Sequence, residues 1–121
     1  MTLAVNLLGT GVPGGAADAI TGFVSLAQTA SGSAQGSQTF ASDIVEYTSS
    51  TSAYGPTLPS DAAPGDMYTV FNNTANTIKV WPASGYALNG GTADAALSLT
   101  TKKTATFTSL GNGNWVYNLT A

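Results

Sequence analysis

The stretch Met67-Tyr-Thr-Val-Phe-Asn-Asn-Thr-Ala-Asn-Thr-Ile-Lys-Val-Trp81 decides the fold class. Its first part, residues 67–72, alternates between two sets of side chains, and so does its last part, residues 77–81. A period of two is typical of β-strands, whose successive side chains point to opposite faces of a sheet. The four residues 73–76 predict a short hairpin loop between the two strands. Pro82 ends the second strand because proline has no amide hydrogen to donate to a ladder.

The same β pattern continues on both sides of this stretch. Strands are predicted at 43–48, 103–109 and 115–119, and the Gly-Asn-Gly-Asn run at 111–114 predicts a hairpin turn between the last two. No helix is predicted after residue 41. Many short strands separated by turn signals are typical of sandwiches and barrels. We therefore predict an all-β domain over residues 42–121, a small antiparallel β-sandwich or barrel that is jelly-roll-like.

Residues 1–41 differ from the rest of the chain. The apolar run Thr2–Leu8 is shorter than the roughly 20 residues that span a membrane, and no basic residue precedes it as in a secretory signal. Residues 16–27 fit an amphipathic helix and an alternating strand equally well. Residues 29–39 carry no large apolar side chain, so they form either a flexible linker or an extended strand against another chain. We predict an extended, partly disordered arm that orders on contact, and we expect deletion of residues 2–38 to leave the following domain folded.

The composition excludes several chemistries. The chain has no histidine and no cysteine, so it offers no ordinary structural zinc site, thiol nucleophile or Ser-His-Asp triad. Its only cations are three lysines against six carboxylates, which argues against binding to nucleic acid, because each neutralised phosphate needs a cation. No membrane partner is predicted either.

Two motifs could suggest chemistry, and neither has the context that the chemistry needs. Gly9-Thr-Gly11-Val-Pro-Gly14 matches the dinucleotide-binding pattern, but no acidic residue follows about 20 positions on, and we interpret it as a hinge. Asp43 and Glu46 face opposite sides of a strand, and the pair Asp66 and Asp94 lacks a calcium-binding loop pattern. We predict no catalytic residue, no metal ligand, no cofactor and no enzymatic activity.

The low charge predicts assembly. Thr, Ser, Gly and Ala make up 63 of the 121 residues, and only 7% of the residues are charged. Ionic groups normally help to keep a protein soluble and monomeric. Hydroxyls and methyls cost less to bury than ions do, so such a surface can pack against a copy of itself. The alternative is a monomer with an uncharged surface.

Large apolar side chains supply candidate interface residues. Trp81 stands opposite Ile78 and Val80, so its strand is either covered by two layers or meets a partner on one face. The alternative for the aromatic residues is that all of them belong to the core of one copy. The candidate interface residues are Phe23, Val24, Trp81, Tyr86, Trp115 and Tyr117.

A series of turn and strand signatures runs through the second half of the chain. It comprises Leu58-Pro59, a turn ending in Gly65-Asp66, a strand ending in Asn72, Val80-Trp-Pro82, Gly85, Leu88-Asn-Gly90, a Thr/Ala strand, a Gly/Asn turn and Trp115. This series resembles a small β-domain of tailed-bacteriophage virion proteins. The Asp43-Ile-Val-Glu-Tyr47 strand, after its Ser/Gln/Thr/Ala segment, is similar to that group as well.

The resemblance implies a structural protein of a phage particle. Such proteins are usually symmetric oligomers, often trimers clamped onto capsid subunits. The expectation is a capsid decoration (cement) protein on the exterior of the capsid, with copies of itself in a homotrimer and the major capsid protein as partners. A tail or fibre component remains an alternative, as does a receptor- or glycan-binding tip that uses Trp81, Tyr86 or Trp115 for stacking.

Overall fold

The structure, a computed structural model, describes residues 24–120. This part of the chain is all-β and forms seven strands, which confirms the predicted fold class. The strands are β1 (Val24–Thr29), β2 (Ile44–Ser49), β3 (Met67–Asn72), β4 (Ile78–Val80), β5 (Leu97–Leu99), β6 (Thr104–Ser109) and β7 (Trp115–Leu119).

Five strands form a mixed sheet in the order β1-β2-β3-β6-β7, and β4 pairs with β5 in a separate two-stranded sheet. The pairs β1–β2 and β2–β3 are parallel, so the main sheet is not antiparallel throughout as the sequence predicted, and it does not close into a barrel. The connections 30–43 and 50–66 explain the parallel pairs, because each has the dozen or more residues that a crossover needs. The β3–β6 and β6–β7 pairs are antiparallel, and the predicted hairpin turn at 111–114 joins the last two strands.

The alternation of side chains decides which face of the main sheet is buried. In β6 the small and aromatic residues Ala105, Phe107 and Ser109 are buried, while the threonines between them are half-buried on the other face. The register carries this division across the sheet, because Phe107 lies opposite Tyr68 on β3 and Tyr117 on β7. One face of the main sheet therefore packs into the core, and the other face points outward.

The two-stranded sheet and the 50–66 connection cover the inner face. Ile78, Val80, Leu97 and Leu99 are buried in one cluster with the inner-face residues of the main sheet. The remaining members of this cluster are Ala30, Val45, Tyr47, Leu58, Val70, Leu88, Ala105, Phe107 and Trp115. Within residues 24–120, every buried side-chain nitrogen and oxygen atom has a hydrogen-bond partner. The molecule thus has two layers around one core, as a β-domain requires.

The predicted hairpin between β3 and β4 is wrong, because each of these strands pairs with a different partner. The side chain of Asn72, which is fully buried, redirects the chain between the two sheets. Its Oδ1 accepts hydrogen bonds from the backbone N–H and the hydroxyl of Thr74, at 3.0 and 2.8 Å. Its Nδ2 donates to the carbonyl oxygens of Asn76 and Leu99, both at 2.8 Å. These bonds join the end of β3 to β5 instead of closing a hairpin.

The predicted arm of residues 1–41 divides at Val24. Residues 1–23 lie outside the described residues, whereas β1 pairs with β2 and belongs to the main sheet. The loop after β1 is held by Gln38, whose Oε1 accepts from the backbone N–H groups of Ser31 and Gly32 and whose Nε2 donates to the Thr29 carbonyl oxygen. Residues 24–41 are therefore part of the folded domain, and the sheet has no boundary at residue 41.

The loop is also fixed by a close approach of backbones at two glycines. The Gly55 backbone N–H donates to the Gly32 carbonyl oxygen at 3.0 Å. A Cβ atom on Gly55 would overlap the carbonyl oxygen of Lys79 in β4. Only glycine permits this approach, which ties the connection between β1 and β2 to the two-stranded sheet.

The edge of the main sheet at β7 is occupied by the segment 87–89. The backbone N–H of Trp115 donates to the Ala87 carbonyl oxygen, and the backbone N–H of Asn89 donates to the Trp115 carbonyl oxygen. The Asn89 side chain continues the pattern, because its Oδ1 accepts from the Tyr117 backbone N–H at 2.8 Å. At the opposite edge, β1 has β2 as its only strand neighbour among the described residues.

Candidate functional site

The outward face of the main sheet is the first candidate surface, and we call it the open sheet face. Four large apolar side chains are exposed on it, namely Val24 (59%), Ile44 (45%), Met67 (54%) and Val116 (37%). The register places threonines beside and between them, and half-buried Phe71 lies on the same face in the row that contains Glu46. These threonines are Thr69, Thr104, Thr106 and Thr108. Apolar residues exposed together in this way are typical of an interaction surface.

The open sheet face carries almost no charge. Of its strand residues, only Glu46 is ionisable. The Glu46 carboxylate accepts hydrogen bonds from the Ala27 backbone N–H at 3.2 Å and from Asn73 Nδ2 at 3.1 Å. The threonine hydroxyls are close enough to bond one another, as the 3.4 Å between Thr69 Oγ1 and Thr106 Oγ1 shows. Covering this face therefore requires the desolvation of one carboxylate. Burying its remaining polar groups, which are uncharged, costs less free energy than burying ions would.

The second candidate is a surface cleft of about 200 Å³, which we call the aromatic cleft. The rings of Phe40 and Tyr68 stack in it with their centroids 4.7 Å apart, and Tyr68 stacks in turn on buried Trp115 at 5.5 Å. The full lining is Gly36, Gln38, Thr39, Phe40, Thr57, Leu58, Pro59 and Tyr68. The core thus supports a pair of partly exposed rings from below, which fixes their orientation.

Most polar groups at the aromatic cleft are already engaged within the chain. The Gln38 side chain is used in the loop after β1, and Thr57 Oγ1 accepts from the Gly36 backbone N–H at 2.7 Å. Burial raises the pKa of the Tyr68 phenol, and three carboxylates, Asp43, Asp66 and Asp61, raise it further. The cleft therefore presents apolar ring faces, and three carboxylates outside its lining lie near enough to act on Tyr68.

The five candidate interface residues that the structure describes do not form one surface. Val24 is exposed on the open sheet face, and its role in an interface stays a prediction. Trp115 is fully buried on the opposite face of the sheet, where its Nε1 donates to the Pro59 carbonyl oxygen at 2.9 Å. Tyr117 is half-buried beside Phe107, with ring centroids 5.8 Å apart. Phe23 lies outside the described residues. Trp115 is therefore a core residue and offers no stacking platform.

The other two candidates, Trp81 and Tyr86, are half-buried. Trp81 forms an isolated β-bridge with Thr57, and its backbone N–H donates to the Pro56 carbonyl oxygen at 3.0 Å. Tyr86 lies over the backbone of Gly113. The Trp81 backbone and the Tyr86 ring are thus held by the fold, and both residues are partly exposed.

The described carboxylates either accept hydrogen bonds within the fold or lie too far from one another to form a metal site. Asp66 Oδ2 accepts from the Ala63 backbone N–H within the turn before β3. Asp94 Oδ1 accepts from the Gly85 backbone N–H at 2.7 Å and from Gln35 Nε2 at 3.1 Å, and these bonds lower the pKa of Asp94. Within residues 24–120, no three acidic side chains lie together as a metal site requires. The Gly9–Gly14 motif lies outside the described residues.

Sequence reasoning missed Phe40 as a site residue. Phe40 follows a segment without large apolar residues and lies 28 positions before Tyr68, so no local periodicity connects the two rings. The one available signal was the isolation of a single aromatic residue at the end of a small polar segment. An aromatic residue in such a place is typical of an anchor that packs elsewhere in the fold.

Comparisons with models of protein families, with curated proteins and with solved structures found no match for this chain. Within the described part of the chain, no helix has the length and the apolar character that crossing a bilayer demands.

Proposed function

We propose that the chain is a structural protein of a tailed-bacteriophage particle, and specifically a capsid decoration (cement) protein. It binds the outside of the shell as a homo-oligomer, with a trimer as the expected form, and it stabilises the shell without catalysing a reaction. Its partners are copies of itself and the major capsid protein. The sequence resemblance suggests the virion, and the open sheet face supports a role in assembly.

The open sheet face is the single observation that carries this proposal. Val24, Ile44, Met67 and Val116 expose apolar surface across the whole width of the sheet, with uncharged threonines between them. Burial of apolar area contributes roughly 25 cal/mol per Å² to the free energy of association. The cost of removing charged groups from water is small on this face, because it carries few of them. A surface of this kind supports permanent association better than enzymatic turnover.

The glycan-binding alternative has weaker support. It depended on Trp81, Tyr86 and Trp115 as stacking platforms, and Trp115 is buried in the core. A glycan array probed with the full chain tests it directly. Binding of an oligosaccharide that is lost on substitution of Trp81 or Tyr86 would favour that alternative.

A labelling experiment on particles tests the proposed function. Antibody against the chain is applied to intact particles of the bacteriophage that encodes it, and bound copies are located by electron microscopy. We expect copies on the outside of the shell, clustered in groups of three. Labelling confined to tails or fibres, or no labelling of intact particles, would contradict the decoration role.

A pair of lysine substitutions tests the surface itself. Met67→Lys places a charge on an exposed apolar position of the open sheet face, whereas Ser84→Lys adds the same charge to an exposed loop outside it. We expect Met67→Lys to weaken self-association or shell binding by about tenfold or more, because an unpaired buried charge costs several kcal/mol. Ser84→Lys should behave as the unmodified chain does. Equal behaviour of the two variants would show that the open sheet face is not the interface.

A further inference from the structure

Three aspartates lie near the Tyr68 end of the aromatic cleft, although none of them lines it. The Asp43 carbonyl oxygen accepts from the backbone N–H of Thr69, the neighbour of Tyr68, and Asp66 precedes Tyr68 by two residues. Asp43 directly precedes β2, Asp66 directly precedes β3, and Asp61 lies in the loop before β3. All three side chains are exposed, and all three act on the Tyr68 phenol. No lysine contributes to the charge acting on Tyr68 among the described residues. Stacked rings and three carboxylates therefore lie near one another at one end of the sheet.

A cleft of this composition suits a lysine side chain. The apolar stem of lysine packs along ring faces, and its ammonium group is attracted both to the π-face of an aromatic ring and to carboxylates. A neutral ligand would use the Phe40 and Tyr68 rings and leave the carboxylates without a role. The three carboxylates near Tyr68 thus favour a cationic occupant over a neutral one.

The chain presents two of its three lysines together at the opposite end of the same sheet. Lys102 and Lys103 form the turn before β6, and this turn is hydrogen-bonded to Asn72, the last residue of β3. The Asn72 backbone N–H donates to the Lys103 carbonyl oxygen, and the Lys102 backbone N–H donates to the Asn72 carbonyl oxygen. Asp66 stands before the first residue of β3. Six strand residues separate the two ends, which is a span of about 20 Å at roughly 3.3 Å per residue.

The lysine turn is accessible. Lys102 is exposed, and its backbone adopts a positive φ of 64° in the turn. Its Nζ donates to Asn73 Oδ1, and Asn73 also bonds the Glu46 carboxylate. Lys103 is half-buried along its stem. Glu46 offsets part of the positive charge at this end, and one net positive charge remains on the turn and its neighbours.

We propose that the aromatic cleft of one copy receives the Lys102–Lys103 turn of a second copy, so that the chains associate head to tail. This inference rests on the proposed homo-oligomer. A cyclic trimer can be built only from a heterologous contact, in which two different patches of the same chain meet. The aromatic cleft with its neighbouring aspartates and the lysine turn are two such patches with opposite charge. The ionic contact sets the orientation of neighbouring copies, and the open sheet face remains available for the shell.

Two complementary variants test the contact. The acidic-end variant combines Asp43→Asn with Asp61→Asn and leaves Asp66, which holds its own turn. The lysine-end variant combines Lys102→Gln with Lys103→Gln. Lys79→Gln, which alters the third lysine, is the matched control. Sedimentation equilibrium at low salt should show a dissociation constant at least tenfold higher for each double variant and an unchanged constant for the control.

Mixing the two double variants gives the decisive measurement. Each retains one intact patch, so an equimolar mixture should form dimers through the one remaining competent contact and should form nothing larger. Full-size oligomers in the mixture, or association of both variants that matches the unmodified chain, would overturn the head-to-tail contact. Far-ultraviolet circular dichroism confirms that the variants are folded.

The outcome separates this inference from the proposed function. If the variants still associate and still bind the outside of particles, the head-to-tail contact is refuted and the decoration role stands. If the mixture yields only dimers while the unmodified chain does not bind particles, the contact stands and the decoration role is refuted.

Discussion

Asn72 at the end of the five-stranded sheet donates a hydrogen bond from Nδ2 to the carbonyl oxygen of Leu99 on the two-stranded sheet, over 2.8 Å. The same amide group also binds the Asn76 carbonyl oxygen, and its Oδ1 binds Thr74. One buried side chain therefore satisfies backbone groups on both layers of the molecule. A single amide is suited to this because it donates two hydrogen bonds and accepts two.

Asn72→Asp should lower the free energy of unfolding by about 3 kcal/mol or more. The substitution removes both donors and directs a carboxylate at the carbonyl oxygens of Asn76 and Leu99. Urea denaturation measures the change as a lower midpoint. Asn118→Asp, at an exposed position on the open sheet face, should change stability by no more than about 0.5 kcal/mol. Equal effects of the two substitutions would contradict the role assigned to Asn72.

Gly55→Ala should destabilise the fold severely, by about 3 kcal/mol or more. The added methyl group would overlap the Lys79 carbonyl oxygen, and backbone atoms on both sides leave no room for adjustment. Gly65→Ala is the matched control. Its Cβ meets nothing within 4 Å, and only the positive φ of 88° opposes it, at a cost of about 1 kcal/mol. Thermal unfolding of both variants gives the comparison, and a Gly55→Ala protein as stable as Gly65→Ala would refute the close approach.

Stability should fall at alkaline pH because of Tyr47. Burial raises the pKa of this phenol above its ordinary value of 10.0, so the folded state holds the proton more tightly than the unfolded state. The contribution of Tyr47 is complete below pH 10 and decreases as the pH rises above it, since the unfolded chain then loses the proton first. Urea midpoints at about pH 8 and about pH 11 measure this loss. Tyr47→Phe should reduce the difference between the two midpoints, and an unchanged difference would contradict the role assigned to Tyr47.

Two N-terminal deletions distinguish the predicted arm from the folded domain. Deletion of residues 2–23 keeps every described strand, whereas deletion of residues 2–38 removes β1 and buried Ala30. We expect the longer deletion to lower the free energy of unfolding by more than about 3 kcal/mol relative to the shorter one, because it uncovers backbone groups of β2. The sequence had predicted an intact domain after the longer deletion. Equal stability of the two proteins would restore that prediction.

Local patterns predicted the strands well, and the pairing of the strands less well. The alternation of threonine with Ala105 and Phe107 predicted β6 and its buried face, and the Gly/Asn run at 111–114 predicted the hairpin to β7. Each of these two signals is contained in a few consecutive residues of the sequence. The parallel pairing of β2 with β3 depends on how a long connection crosses the sheet, which no local period records.

The segment after β1 was the least predictable part. Its lack of large side chains indicated a linker or an extended strand, yet the Gln38 side chain and the contact between Gly32 and Gly55 give it a defined path. Backbone packing of this kind needs small residues and leaves no hydrophobic pattern in the sequence. The aromatic cleft was unpredictable for the same reason, because the stack of Phe40 on Tyr68 depends on that path.

The segment 87–89 that occupies one edge of the main sheet limits how copies can accumulate. A sheet that is open at both sides can recruit strands without end, which is the route to fibrils. Asn89 closes one side, so among the described strands only β1 leaves an edge to which another strand could be added. Closure of one edge thereby opposes open-ended addition of strands to a chain with few charges.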